Sequence, residues 1–459
     1  MGFFKNIFNS KETATSNENS FAENEQIFSK KKIVIGVDDS GNPIQEEKNI
    51  SLHFKTQNGY INIDNPFNGI GVFGGPGAGK SISVIRPSII QMIRNGFTGL
   101  VHDIRGQYSS AMKTSINSQG FDFYEISFEK ATYNSVRFNP LHPSKITNLN
   151  VALRYATFIL NASSSEGNNK DYFSESRRDY LASIIWYLKQ HHPQYCTLPH
   201  LLSIIKHGDA EKIIQKLGQN EECFALVHNL LLSINKEMYE MMAGVVGALK
   251  VMVEKMINKE AFWTLSGEDF ILDFNNPQKP KWLLFKDRPT ANTNFAISIA
   301  AETATTLGMP SAIILDEIGF VAPVLQDLHQ VVYNNNNIAL VIGGYYRSIE
   351  LNLEKQDKKL FLENIFWGGE FLTETEAINY ITEYSKNKGI TILPEDIYNC
   401  QQGKFWVKTS KNISFDQIVL DEYDQLEMKD SSQNSDNLII KSELDENFDR
   451  IKKEALSLI

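Results

Sequence analysis

The chain has 459 residues, 42% of them hydrophobic and 22% charged, with a net charge of −10 and three cysteines. That length supplies core for two or three domains. The acidic balance excludes a protein whose whole surface wraps nucleic acid, because such surfaces use Lys and Arg to displace counterions from phosphate; any such contact must be a local patch, a pore lining or indirect. Scattered Cys196, Cys223 and Cys400 exclude a disulfide framework and fit a reducing compartment, and no apolar run is long enough to cross a membrane.

Residues 1–30 are polar and rich in Asn, Ser and Glu, and read as a disordered tail without a signal-peptide core. "KKIVIGVDDSGNPIQ" (31–45) reads as a hairpin turning at Asp39–Pro43, and "LHFKTQNGYINI" (52–63) continues with strand alternation. "GIGVFG" (69–74), "TGLVHDI" (98–104) and "FDFYEIS" (121–127) are short apolar runs followed by turn or helix signals, the order of parallel βαβ units. From 146 to 258 apolar residues recur at helical spacing, as in "YLASIIWYLKQHH" and "EMYEMMAGVVGALKVMVEKMI", which predicts an all-α insertion. Strand signals return in "KWLLF" (281–285), "SAIILDE" (311–317), "IALVIGG" (338–344) and "KFWVKTS" (404–410). The expected organisation is α/β over 31–145 and 259–425, interrupted by the helical insertion. Residues 426–459 close the chain as an acidic tail, whose last stretch reads either as solvated or as an amphipathic terminal helix.

Gly74-x-x-x-x-Gly79-Lys80-Ser81 fits the Walker A pattern, with Gly75, Pro76, Gly77 and Ala78 inside the loop. Glycines let backbone N–H groups turn inward toward phosphate, and the helix that follows presents free N–H groups and a positive dipole end. Lys80 is expected to reach the β- and γ-phosphates of ATP, and Ser81 to ligate Mg²⁺. "AIILDE" (312–317) is the partner strand: Asp316 is expected to hold Mg²⁺ through water, and Glu317 to polarise an attacking water as general base. The Asp-Glu doublet favours hydrolysis over transfer to a small acceptor, and no kinase lid or acceptor signature is present. Asp103 either supports the Mg²⁺ site or is a strand-end turn acid.

"INIDNPFNGIGVFGGPGAGKSISVIRPSIIQMIRNGFTGLVHDIRGQY" (61–108) resembles the conjugative coupling proteins, the TraG/TraD-type ATPases of type IV secretion, on the branch found with Bacteroides-type mobilisable elements. "VRFNPLHP" (136–143), "FSESRRDYLASIIWYLKQH" (173–191), "AIILDE" and "LPEDIYNCQQGKFWV" (393–407) extend the resemblance over 31–410. The resemblance implies a RecA-like P-loop NTPase domain with an inserted all-α domain and a homo-oligomeric ring, usually a hexamer. It implies that ATP hydrolysis moves DNA, or presents a relaxase–DNA complex, to secretion-system proteins. Lys80, Ser81, Asp316 and Glu317 carry over directly, and Asp103 and Arg105 stand where the family has an acid and a base after the second strand. The family's arginine and glutamine that follow the Walker B strand align with Asn334 and Tyr345, and Arg347 is the candidate substitute. The family's usual N-terminal membrane helices have no counterpart here, so the expected location is cytoplasmic, or peripheral at the inner face of the membrane through partners. The altered 331–351 segment keeps a second reading open: a nucleotide-binding adaptor that hydrolyses poorly and recruits protein substrates.

Other signals read as structural. His192, Cys196 and His200 have metal-capable spacing, but Pro193 and Pro199 break the element and no fourth ligand is evident. Tyr180, Trp186 and Tyr187 read as core, and Lys30–Lys32 as a solvated face. Arg177 and Arg178 are either surface charges or phosphate contacts in a pore. Pro87 is expected to kink or shorten the first helix.

Overall fold

The computed structural model describes residues 31–164, 172–235, 239–305, 308–317, 328, 331–332, 337–345, 362–368, 402–409, 413–420 and 438–458. The tail at 1–30 and the positions Asn334 and Arg347 lie outside the described residues. The chain forms two compact units: an α/β unit of Met1–Phe123, Phe274–Leu284 and Ala304–Ser432, and a helical unit of Tyr124–Asp273, Phe285–Thr303 and Gln433–Ile459.

β1 (Lys31–Val37) and β2 (Pro43–Lys48) form the expected hairpin, whose turn is tied by the Asp38 carboxylate accepting from the Ser40 and Asn42 amides. β3 (Leu52–Thr56) and β4 (Gly59–Ile63) form a second hairpin. β3 buries Leu52, Phe54 and Thr56 and exposes the residues between them, the period of a half-buried strand.

The continuous apolar runs build the main sheet. Its strands are β5 (Ile70–Gly74), β6 (Thr98–His102), β7 (Asp122–Ile126), β8 (Lys281–Phe285), β9 (Ser311–Leu315), β10 (Ile338–Gly344), β11 (Asn364–Gly368), β12 (Lys404–Lys408) and β13 (Ile413–Gln417). They run in the order β13-β12-β11-β5-β10-β9-β6-β8-β7. β11, β5, β10, β9 and β6 are mutually parallel, and the antiparallel pair β12–β13 extends that edge. Parallel strands are covered on both faces, which is why β5, β6, β9 and β10 bury every residue rather than alternate. With β10 between β5 and β9, the carboxyl ends of the glycine-loop strand and the carboxylate strand flank a common neighbour, and ligands of open α/β sheets bind at such ends. This is a RecA-like P-loop domain.

After the loop the backbone makes a widened π-helical turn (Lys80–Ile85) that continues into α1 (Arg86–Arg94). Pro87 sits in the first turn of α1, where a missing N–H costs little. The disturbance expected of Pro87 is found just before it, where the Arg86 amide reaches back to the Ser81 carbonyl. α2 (Ser109–Asn117) follows β6.

The helical unit contains α3 (Leu149–Ser163), α4 (Tyr172–His191), α5 (Leu198–His207), α6 (Ala210–Gly218), α7 (Glu221–Asn235), α8 (Tyr239–Glu254), α9 (Lys259–Thr264), α10 (Ala291–Thr303) and α11 (Lys441–Ser457). Asn148, Thr197, Asp209 and Asn258 cap α3, α5, α6 and α9 by accepting first-turn amides. α11 buries Leu444, Ile451 and Ala455 and packs on α5 and α9, with Phe448 stacked on Phe262 at 4.9 Å. The last stretch of the acidic tail is therefore a docked helix, because its apolar positions fall on one side.

Candidate active site

The glycine loop leaves β5 at Gly74 and enters the helix at Lys80. Gly77 (φ +80°) and Gly79 (φ +91°) take left-handed conformations that side chains disfavour. Space is short behind the loop. A Cβ at Gly74 would lie 2.2 Å from the Gly368 carbonyl oxygen, and one at Gly79 would lie 2.9 Å from the Gly403 nitrogen. The Gly403 amide donates to the Ala78 carbonyl at 3.0 Å and braces the loop from the β12 side. Lys80 is 6% exposed, and its Nζ donates to the carbonyls of Gly74 (2.7 Å) and Gly75 (3.0 Å), so the ammonium is folded into the cradle. Burial lowers the Lys80 pKa, opposed by the charges of Glu317 and Asp316. The Tyr345 ring, at the end of β10, lies 5.9 Å from Lys80 Nζ.

Asp316 follows β9 and is 3% exposed. Its Oδ2 accepts from Ser81 Oγ at 2.9 Å, Tyr108 OH at 2.6 Å and Gln107 Nε2 at 3.4 Å, and its Oδ1 accepts from the Glu317 amide at 3.0 Å. Gly343 on β10 makes room for this carboxylate: a Cβ there would lie 2.7 Å from Asp316 Oδ1. Ser81 and Asp316, 235 positions apart, thus bring two hard oxygen donors together at the mouth of a phosphate-type loop. That donor set suits Mg²⁺ beside a nucleotide.

Glu317 has φ +58° and is the one non-glycine residue with positive φ among the described residues. Such a backbone costs of order 1–3 kcal/mol and persists where its surroundings fix it. Here the Glu317 Oε1 is paired with Arg105 Nη2 at 2.7 Å, with the Glu317 side chain 14% exposed. Asp103 takes the turn-acid role rather than facing the metal position: its carboxylate accepts from the amides of Tyr108 (2.8 Å) and Arg105 (3.2 Å). Burial raises its pKa, partly offset by hydrogen bonds from the backbone amides of Tyr108 and Gln107. Burial also holds the Tyr108 hydroxyl well above its ordinary pKa, so it is a donor at physiological pH.

Gly74, Gly75, Pro76, Gly77, Ala78, Gly79, Lys80, Ser81, Asp316 and Glu317 therefore lie in one region, and Arg347 lies outside the described residues. Sequence reasoning missed Gln107, Tyr108 and Gly343. The first two stand in "HDIRGQY", which carried the resemblance, but nothing local says that this turn reaches Asp316. Among the described residues no cluster of metal-ligating side chains is found. Cys196 is buried with its thiol pushed up to about 12 by burial, and His200 bonds Thr197 and Glu454. Arg178 turns onto Asp179, Arg177 onto Ser174, and Trp186 donates to Glu222.

The family model described as type IV secretory system conjugative DNA transfer matches residues 15–274, more than half of the chain. No curated protein matches it. The chain is similar to the bacterial conjugative coupling protein TrwBdeltaN70 in complex with sulphate, at 12% identity and a TM-score of 0.59 over 86% of this chain and 91% of that one. It is similar at 12% identity to plasmid coupling protein TrwB with the GTP analogue GDPNP, with a TM-score of 0.60 over 85% and 95% of the two chains. TrwB with ADP and Mg²⁺ gives a TM-score of 0.57 at 12% identity over 86% and 90%. At that identity the likeness shows a shared fold.

Proposed function

The chain belongs to the type IV secretory system conjugative DNA transfer family, and on that premise we propose that it is a Mg²⁺-dependent coupling ATPase that handles DNA or a relaxase–DNA complex. The observation that carries this reading is the meeting of Ser81, Asp316 and Glu317 at the end of parallel strands beside a braced glycine loop. In this reading the amides of 74–81 and the Lys80 ammonium bind the β- and γ-phosphates, and Lys80 exchanges its two loop carbonyls for phosphate oxygens. Ser81 and Asp316 hold Mg²⁺, which when bound neutralises phosphate charge. Glu317 takes a proton from the attacking water, and for this it must leave Arg105. Among the described residues no helix is long and apolar enough to cross a membrane. Peripheral association through secretion-system proteins and a homo-oligomeric ring, a hexamer by family resemblance, belong to the same reading.

A second reading, a nucleotide-gated adaptor that hydrolyses poorly, is favoured by the Arg105–Glu317 pair and by Tyr345 at the position aligned with the family's glutamine. One experiment separates the two: steady-state ATP hydrolysis with and without single- and double-stranded DNA, beside Lys80→Ala and Glu317→Gln. Turnover that DNA raises and both substitutions abolish supports the ATPase. Tight binding without turnover, indifferent to DNA, overturns it in favour of the adaptor.

A further inference from the structure

The geometry points to Tyr108 as a positioning residue for the metal-holding carboxylate: its hydroxyl fixes Asp316 and thereby sets the Mg²⁺ dependence of nucleotide binding. This inference rests on the nucleotide-site reading above. Three donors converge on Asp316 Oδ2, and they differ in what else they can do. Ser81 Oγ is itself a hard donor at the cation position, so its bond to Asp316 competes with metal ligation. Gln107 is exposed and its bond is long, at 3.4 Å. Tyr108 is 1% exposed and part of the apolar core of the α/β unit, and it makes the shortest of the three bonds, 2.6 Å.

A phenol whose ring is locked by packing cannot follow the carboxylate if it swings. It therefore defines one orientation and leaves Ser81 free to serve the cation. Its backbone is fixed as well, because the buried Asp103 carboxylate accepts the amides of Arg105 and Tyr108 and shapes the turn that delivers the hydroxyl. Gly343 completes the seat on the other side by leaving space for Oδ1. Partners of this outer kind typically carry about 10–100-fold of metal affinity.

The test is equilibrium binding of a fluorescent ATP analogue to the full chain, titrated with Mg²⁺ and repeated in EDTA, for wild type, Tyr108→Phe and Gln107→Leu. Tyr108→Phe keeps the ring and removes the hydroxyl. The expected result is a rise of about tenfold or more in the Mg²⁺ concentration at half-maximal enhancement of binding, with affinity in EDTA unchanged. Gln107→Leu, at an exposed position, is expected to shift the midpoint the same way but by less than Tyr108→Phe, because its bond to Oδ2 is the longest of the three. An unchanged midpoint in a folded Tyr108→Phe overturns the inference. So does an equal loss of affinity in Mg²⁺ and EDTA, which would make Tyr108 a packing residue alone. Should Tyr108→Phe not fold, Asp103→Asn, which can accept only one of the two amides that shape the turn delivering the hydroxyl, takes its place, and an unmoved midpoint in that variant overturns the inference. Absence of Mg²⁺-enhanced binding in the wild type instead overturns the nucleotide-site reading itself.

Discussion

Asp316 in the α/β unit and His200 in the helical unit are both buried polar side chains held by residues far away in sequence. Asp316 gathers donors from two other segments, at 81 and at 107–108, and does so at the open ends of parallel strands beside a loop of inward-facing amides. His200 bonds Thr197 at the start of its own helix and Glu454 on α11, and this network closes on itself, with Arg450 bonded to the same carboxylate. Both side chains are polar and almost equally buried. What distinguishes a site from a strut is whether the backbone around the polar group leaves room for something to bind. Gly74, Gly79 and Gly343 make that room in the first case, and capped, packed helices remove it in the second.

The sharpest way to break this contrast is chemical. Glu317→Gln is expected to keep nucleotide binding and to lower turnover by about 10²–10⁴-fold, as loss of a general base does, while Lys80→Ala loses both. A Glu317→Gln protein that hydrolyses at the wild-type rate would move the base elsewhere. Next in size is the loop itself. Gly79→Ala meets the Gly403 nitrogen at 2.9 Å in a left-handed backbone, so it is expected to cost about 1–3 kcal/mol and to weaken nucleotide binding, read by thermal melts and titration. Arg105→Ala sharpens the site further: freeing Glu317 is expected to raise basal hydrolysis several-fold, while the loss of a half-exposed ion pair moves stability by less than about 1 kcal/mol. A fall in turnover would instead make Arg105 a contributor to the reaction.

The smallest effect tests the strut. Burial lowers the His200 pKa from its ordinary 6.5, opposed by its bond to Glu454. A histidine lowered on folding is protonated more readily when unfolded, so stability is lost as pH falls through 6.5 toward the folded value. Burial pushes the Glu454 carboxyl up, but hydrogen bonds from Arg450 and His200 outweigh it and leave the pKa below the ordinary 4.5. Its contribution is therefore present above 4.5 and is lost as pH falls through the folded pKa. Melting temperatures are expected to fall in two stages, the upper one absent in His200→Gln, with nucleotide affinity at neutral pH unchanged. An equal loss of nucleotide affinity in that variant would erase the contrast.

These two regions were not equally legible. The loop and the Asp316–Glu317 doublet could be read because their chemistry is written in contiguous residues: glycine where a Cβ will not fit, then a helix start, and an apolar run ending in acids. Tyr108 and Gln107 could not, because their role depends on β6 lying beside β9, a pairing between segments more than 200 positions apart. The 103–108 turn is also too short to carry a period. α11 was ambiguous for a related reason. Its few apolar residues, Leu444, Ile451 and Ala455, mean little until α5 and α9 supply a surface for them.

The brace between Gly403 and Ala78 bears on how the protein is made. At ordinary rates of synthesis Gly403 emerges roughly 15–60 seconds after Gly79. For most of that interval β5 lacks β10 and β11, so its edges are open templates for strand pairing, and until its end the loop lacks the Gly403 brace. The nascent chain thus carries its phosphate-loop residues early but cannot hold their shape until its last strands arrive.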